Sequence, residues 1–170
     1  KALQILRFSK IYRFFRPPLL LRKPAMTEAS HIVCPHCHTT NRVQVAQLHD
    51  APDCGSCHQP LFVGAPLELD ASSFAKHVQR NHIPVLVDFW APWCGPCRQM
   101  APAYAQAASQ LEPQMRLAKL DTEAHPQLAA PFNIRSIPTM VLFKGGKEAA
   151  RISGALSAAD IVRWVQSVPA

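Results

Sequence analysis

Three cysteine pairs share one spacing: Cys34/Cys37, Cys54/Cys57 and Cys94/Cys97 each enclose two residues. Cysteines so spaced do either thiol–disulfide exchange or metal ligation, and the surrounding residues decide which. Cys94-Gly-Pro-Cys97 follows the apolar, β-branched run that starts at Val85 and precedes a helical pattern that begins at Arg98. Two cysteines at a helix start can close a small disulfide ring. They also meet the positive end of the helix dipole and its unpaired N–H groups, which favour thiolate over thiol. The thiolate is the species that attacks disulfides. Cys94, at the cap beside exposed turn residues, is therefore the expected nucleophile, and Cys97, one turn in, its resolving partner. Pro96 is tolerated in a first turn, where its missing N–H has no helical partner, and it stiffens the ring. A metal knuckle or an inert core pair is the alternative, and the strand-to-helix setting argues against both.

The other two pairs sit in a different context. His31-Ile-Val-Cys34-Pro-His-Cys37 is followed, after sixteen residues, by Cys54-Gly-Ser-Cys57-His-Gln-Pro-Leu-Phe62, and neither pair opens a helix after a buried strand. Two such knuckles supply the four soft ligands of a tetrahedral zinc site, Cys34, Cys37, Cys54 and Cys57. A segment of about thirty residues cannot build an adequate core alone, so a metal clip is physically expected. Two more redox pairs, or a pair of disulfides, stand as the alternative. His36, His38 and His58 flank the ligands; with four thiolates the shell is complete, so they are expected as exposed neighbours. Val43 and Val45 predict a short strand between the knuckles, and Leu61-Phe62-Val63 predicts another after them.

The elements that position the Cys94 turn follow from periodicity. Leu67–Leu69 is a first strand, and Asp70 or Ser72 caps a helix through Phe74, Ala75 and Val78. Residues 83–91 form a central strand, apolar on both faces as a parallel strand covered by helices requires. Asp88 is its exception. A carboxylate there is costly to bury unless it is neutralised or functional, and burial raises its pKa; near a reactive thiol it suits general acid–base work. An exposed strand end is the bland alternative. A helix over 98–111 contains Pro102, where a kink is expected. A strand over 115–121 follows, with Lys119 on the face that can pair with Asp88, and then a short helix over 126–132. Gly145-Gly146 joins strands over 139–143 and 147–152 as an antiparallel hairpin. Ser157 and Asp160 form a capping box for a last helix. Its residues Ile161, Trp164, Val165 and Val168 make one apolar face.

The formal charge of +7 over 170 residues misleads. Residues 1–25 hold seven basic residues and no acid, whereas the remainder holds 11 basic and 11 acidic residues. A nucleic-acid reading based on the overall pI therefore fails for the folded part. No apolar run approaches a bilayer span, and residues 1–25 lack a signal-peptide core and cleavage site. Their Arg-rich, acid-free character leaves a transit peptide or membrane-surface helix open. The favoured reading is a basic disordered extension ahead of a natural start at Met26. The expected organisation is then residues 1–25 as that extension, 26–63 as a zinc ribbon and 64–170 as the redox domain.

Trp93-Cys94-Gly95-Pro96-Cys97, preceded by Asp88-Phe-Trp-Ala91, resembles the active site of thioredoxins. Residues 31–63 resemble the zinc ribbon that precedes the second type of bacterial thioredoxin, where Ile-Val-Cys-Pro-His-Cys and Cys-X-X-Cys-His-Gln-Pro-Leu-Phe recur. The resemblance covers residues 31–170. It implies the α/β thioredoxin fold, a central mixed sheet flanked by helices, with elements in the order β-α-β-α-β-α-β-β-α. It also implies that Asp88 serves proton transfer to the inner cysteine. Ile134-Arg-Ser-Ile137-Pro138-Thr139 resembles the family's cis-proline loop facing the cysteines, which leaves backbone groups free for a substrate strand. By the same resemblance Gly154 leaves room beside the active site. The implied substrate-binding set is Trp93, Gly95, Pro96, Ile137, Pro138 and Gly154. Pro92 and Arg98 depart from the commonest pattern, where an acid and a lysine often stand, and both leave the cysteines and Asp88 untouched.

The function this predicts is a thiol–disulfide oxidoreductase that reduces protein disulfides through Cys94 and Cys97 in cell redox homeostasis and electron transport. It needs structural Zn²⁺ and no cofactor bound for catalysis. Its partners are disulfide-containing client proteins and, by resemblance, an NADPH-dependent flavoprotein thioredoxin reductase. A cytoplasmic monomer is expected, with no nucleic acid and no membrane. A redox-switched zinc-dependent chaperone and a zinc-ribbon docking module are the alternatives.

Overall fold

The computed structural model describes residues 28–169; the expected extension over 1–25 lies outside them. Two sheets form. The smaller pairs β1 (Ala29–Val33) with β2 (Thr40–Gln44) antiparallel, with Ile32 opposite Asn41 and Val33 opposite Thr40. The strand expected around Val43 is β2, but Val45 falls in a 3₁₀ turn after it and is 42% exposed. β1 has no clear alternation to announce it. Leu61-Phe62-Val63 does not form a strand. Leu61 N–H donates instead to the Pro52 carbonyl, and Pro60 has no N–H for a ladder, so this segment closes the second knuckle loop.

The larger sheet carries the expected element order. Its elements are β3 (Leu67–Leu69), α1 (Phe74–Arg80), β4 (Val85–Trp90), α2 (Gly95–Leu111), β5 (Arg116–Asp121), α3 (Pro126–Ala129), β6 (Thr139–Lys144), β7 (Lys147–Ser153) and α4 (Ala158–Ser167). Spatial order is β3-β5-β4-β6-β7, with β3, β5 and β4 parallel and β6 and β7 antiparallel. β4 is central, and all of it but Trp90 is buried, as its unbroken apolar run requires. Leu86, Leu117, Met140 and Leu142 meet α2 and α4 on one face; Val87, Phe89, Leu120 and Val141 meet Phe74 and Val78 of α1 on the other. Tyr104 pins α2 to the sheet. Its buried hydroxyl lies 2.8 Å from the Leu86 carbonyl and 2.9 Å from that of Ala118. α2 continues through Pro102 to Leu111.

Local chemistry fixes the turns. Gly145 and Gly146 have φ of 55° and 80°, the two left-handed positions of a tight hairpin turn. Asp70 closes the turn that leads into α1, whose N-cap is Ser73: one Asp70 carboxylate oxygen accepts from the N–H and hydroxyl groups of both Ser72 and Ser73. Those donors, Ser73 first, hold its carboxyl well below the usual carboxylate range. Ser157 Oγ accepts from Asp160 N–H at 3.2 Å and lies 2.6 Å from the Asp160 carboxylate, closing the start of α4. Trp164 is half-buried at the rim of the core, with Ile161 and Val165 fully inside.

The two sheets share a junction. The ribbon's core of Ile32, Val43, Leu61 and two cysteines takes in Ile83, from the segment that leads into β4. Asn81 Oδ1 accepts from Val33 N–H at 2.8 Å, and His82 N–H donates to the His31 carbonyl at 2.9 Å. His38 is half-buried rather than exposed, 3.1 Å from fully buried His77, whose burial pushes its pKa down to about 3. The ribbon thus sits at the end of β4 where that strand begins, and the Cys94 turn lies where it ends.

Candidate functional site

β4 delivers the chain through Ala91, Pro92 and Trp93 to Cys94, which is the N-cap of α2. Cys94 and Cys97 are joined by a disulfide, with Cα atoms 5.3 Å apart. Cys97 N–H donates to Cys94 Sγ at 3.2 Å, and Arg98 N–H to the Cys94 carbonyl at 3.1 Å. A first-turn amide aimed at a sulfur is a donor of the kind that favours thiolate over thiol. Both cysteines are only 3% exposed, so Cys94 is more covered than its cap position suggested; Trp93 beside it is 64% exposed.

Other chain segments converge on the turn. The Ile137 carbonyl oxygen lies 3.7 Å from Cys94 Sγ, and Ile137–Pro138 is cis, as the resemblance implied. Gly154 N–H donates to the Pro138 carbonyl at 2.9 Å. A Cβ at Gly154 would meet nothing within 4 Å, so its φ of 102°, rather than crowding by this chain, calls for glycine. Gly95 and Pro96 are the first two residues of α2. A shallow groove of about 380 Å³ joins Trp93 and Ile137 through Thr122, Ile134, Arg135 and Ser136. Thr122 carries no motif and was missed by sequence reading, whereas Arg135 lies within the Ile134–Thr139 loop but was not singled out as a groove residue.

Asp88 is 2% exposed, and its Oδ1 has no hydrogen-bond partner. It lies two residues beyond Leu86 and hence on the same sheet face, the one covered by α2. Burial pushes its pKa up to about 7; Glu68 adds to the rise and Lys119 opposes it. Lys119 stands opposite Asp88 in the β4–β5 register, but the pairing the sequence allowed is not made. Its Nζ bonds Glu68 Oε1 at 3.0 Å and sits 3.9 Å from the Trp90 ring centroid. Trp90, with its indole N–H buried and unpartnered, and Glu68 were not foreseen.

The ribbon gathers its four cysteines. Their sulfurs lie within 4.8 Å of one another, with Cys34–Cys57 and Cys37–Cys54 each at 3.6 Å, and all four are unbridged. A tetrahedron with metal–sulfur bonds of about 2.3 Å has edges of about 3.8 Å, so the donor set fits a closed four-thiolate metal site. The two knuckles are built alike. In each, the first cysteine's N–H bonds the carbonyl five residues on (Thr39, Gln59), and its carbonyl accepts from the N–H four residues on (His38, His58). His38 and His58 take left-handed φ of 60° and 58° to make this possible. His36 N–H and Ser56 N–H point at Cys34 and Cys54 Sγ, each at 3.4 Å, as a thiolate requires. Asn41, which no spacing marked, adds a donor to Cys54 Sγ and accepts from Gly55 N–H.

A sheet of this topology with a disulfide at the cap of its second helix and a cis-proline against it defines a thiol–disulfide oxidoreductase. Residues 65–167 match the thioredoxin family and residues 33–59 match the family described as "Thioredoxin 2, N-terminal", so this chain belongs to the thioredoxins, in the form that carries an N-terminal zinc-ribbon domain. Thioredoxin C-3 of Corynebacterium nephridii is 48% identical over 134 residues, 79% of this chain and 92% of that protein. A bifunctional thioredoxin reductase/thioredoxin of Mycobacterium leprae is 44% identical over 105 residues, 62% of this chain and 23% of that one. Among solved structures, a mutant thioredoxin of Halobacterium salinarum is similar with a TM-score of 0.56 and 27% identity, over 63% of this chain and 93% of that chain. Among the described residues no helix is long and apolar enough to cross a membrane.

Proposed function

We propose that the chain reduces disulfides in client proteins through Cys94 and Cys97. The observation that carries this reading is Cys94 Sγ, held at a helix cap with the Cys97 amide on it and the Ile137 carbonyl beside it. The Cys94 thiolate attacks one sulfur of the client disulfide; a mixed disulfide forms, and the client's other sulfur leaves as thiolate. Cys97 gives up its proton and attacks Cys94 Sγ, which releases the client's second thiol and leaves the Cys94–Cys97 disulfide. Two electrons pass from the cysteines to the client; of the two protons its thiols need, one derives from Cys97 and one from solvent, since Cys94 enters as the thiolate. Asp88 is the base that accepts the Cys97 proton and returns it in the reverse direction. Trp93, Gly95, Pro96, Ile137, Pro138 and Gly154 hold the client strand, with backbone groups beside Pro138 as its hydrogen-bond partners.

An NADPH-dependent flavoprotein reductase regenerates the dithiol; the M. leprae relative, whose name joins thioredoxin reductase and thioredoxin in one chain, supports this partner. Cys34, Cys37, Cys54 and Cys57 hold Zn²⁺, which supplies structural stability to the ribbon when bound. The ribbon comprises residues 26–63 and the redox domain residues 64–170. Four unbridged thiols suit a reducing compartment, and we assign a cytoplasmic monomer that handles neither nucleic acid nor membrane. The chaperone and docking readings are not favoured, since the redox pair is complete. Turnover of insulin disulfides with NADPH and a thioredoxin reductase is the test. No turnover by the full chain, with the reductase active on another thioredoxin, would overturn the assignment.

A further inference from the structure

Glu68 has no part in the exchange chemistry just described, yet its position bears on it. It stands on β3 opposite Lys119 of β5, and Lys119 stands opposite Asp88 of β4. Register partners share a sheet face, so three ionisable side chains form one row across the sheet. The lysine in the middle can serve only one neighbour closely. Its Nζ lies 3.0 Å from Glu68 Oε1 and 3.9 Å from the centroid of the Trp90 ring, whereas Asp88 makes no ion pair among the described residues. We propose that Glu68 is a positioning residue for disulfide exchange: it holds Lys119 outward against Trp90, so that the Asp88 carboxyl is left unneutralised and free to bind the proton that passes to and from Cys97. This rests on the reading of Asp88 as the proton carrier.

The surroundings of Asp88 leave Lys119 as the cation in question. From α2 come Cys97, uncharged in the disulfide, and Tyr104, whose burial, with the Asp88 charge adding to it, holds its hydroxyl pKa well above the usual value. β6 places Met140 opposite Asp88, which carries no charge. On α4, Asp160 and Arg163 pair with each other at the surface. On β4 itself the next residue on this face is Trp90. Glu68 favours the protonated form of Asp88 directly, by its own charge, and indirectly, by where it holds Lys119. The second route can be separated by experiment from the first.

Glu68 is 65% exposed in its side chain, and an exposed ion pair contributes little to stability, so Glu68→Gln should fold as the parent does. The Asp88 side-chain ¹³C carboxyl resonance of the oxidised full chain is titrated by NMR in the parent, Glu68→Gln, Lys119→Gln and the double variant. An opposite charge within about 4–6 Å lowers a carboxyl pKa by about 1–3 units. Freed from Glu68, Lys119 should therefore move the Asp88 midpoint toward acid by about one pH unit. The pH profile of insulin reduction should move the same way. In the Lys119→Gln background, Glu68→Gln should move the midpoint much less. No movement in Glu68→Gln, or equal movement in both backgrounds, overturns the proposal. If Asp88→Asn leaves the pH–rate profile unchanged, the proton-carrier reading falls and the positioning role with it. The NMR midpoints distinguish that failure from a failure of the Glu68–Lys119 link.

Discussion

Arg116, the first residue of β5, donates a hydrogen bond from its guanidinium to the carbonyl of Leu61, 55 residues earlier at the end of the ribbon. The Arg116 side chain is fully buried, with Glu112 Oε1 2.9 Å from its Nε and the Phe62 ring beside it. Glu112 in turn accepts from Gly64 N–H at 2.6 Å. A buried ion pair is thus spent on joining the ribbon, the segment that follows it and the sheet. Charges out of water are costly to leave single, and this sets the first prediction.

Arg116→Met should destabilise the chain by about 3–5 kcal/mol, because it strands the Glu112 carboxylate in the junction. The double variant Arg116→Met/Glu112→Met should recover a large part of that loss, since an apolar pair removes both charges together. Urea unfolding midpoints at constant m measure both. Equal stability of the parent and Arg116→Met would show that the junction does not depend on this pair.

This junction was not legible in the sequence, whereas the grouping of the six cysteines was. Spacing marks Cys94 and Cys97, because a disulfide ring at a helix cap is a local structure. It marks the four ribbon cysteines for the same reason: each knuckle is a six-residue loop that needs only its own backbone. The order of strands and helices followed from runs such as Val85–Phe89, whose burial on both faces the sheet confirms. Arg116–Leu61, Asn81–Val33 and His38–His77 each join residues 39 to 55 positions apart, and no periodicity relates such partners. Lys119 illustrates the same limit at closer range. The strand register placed it beside both Asp88 and Glu68, and only the packing of Trp90 and the geometry of the ammonium decided between them.

Disulfide exchange supplies the second prediction. Cys97→Ser keeps the Cys94 thiolate but removes the resolving thiol, so mixed disulfides with client proteins should accumulate and be visible on non-reducing gels. Cys94→Ser should lose the activity and trap nothing. Retention of insulin reduction by Cys94→Ser would reverse the assigned roles.

Asp88 supplies the third. Its folded pKa is raised to about 7, from an unfolded value of about 3.9. Between those values the folded state binds more protons than the unfolded state, so stability falls as pH rises from about 4 to about 7 and then levels. Asn at this position has no proton to lose. Asp88→Asn should match the parent near pH 4 and exceed it by a few kcal/mol at pH 8, at about 1.4 kcal/mol per unit of pKa. Urea midpoints at both pH values test the sign. Parallel profiles for the two proteins would mean that Asp88 is not the group responsible.

The last prediction concerns metal removal. Four thiolates leave no open position on a tetrahedral ion, so the chain should carry one tightly held metal, with two reactive thiols in the reduced protein and six after denaturation with a chelator. Cobalt(II) in its place should show the strong visible absorption of a tetrahedral thiolate site. Metal binding contributes on the order of 10 kcal/mol to so small a fold, so a chelator should unfold the ribbon. A redox domain with a fully independent core would stay as stable as before. The junction argues otherwise. Ile83 shares the ribbon's core, Asn81 and His82 hold Val33 and His31, and Arg116 has its guanidinium bonded to Leu61. Losing the ribbon should therefore expose Ile83 and leave the Arg116–Glu112 pair partly unsatisfied. The melting temperature followed by the fluorescence of Trp90, Trp93 and Trp164 should fall by several degrees on chelation, a change of about 1–2 kcal/mol or more for a domain of this size. Cys34→Ser should reproduce that fall without a chelator. An unchanged tryptophan transition in the metal-free chain would show that the two units are thermodynamically separate despite the contacts between them.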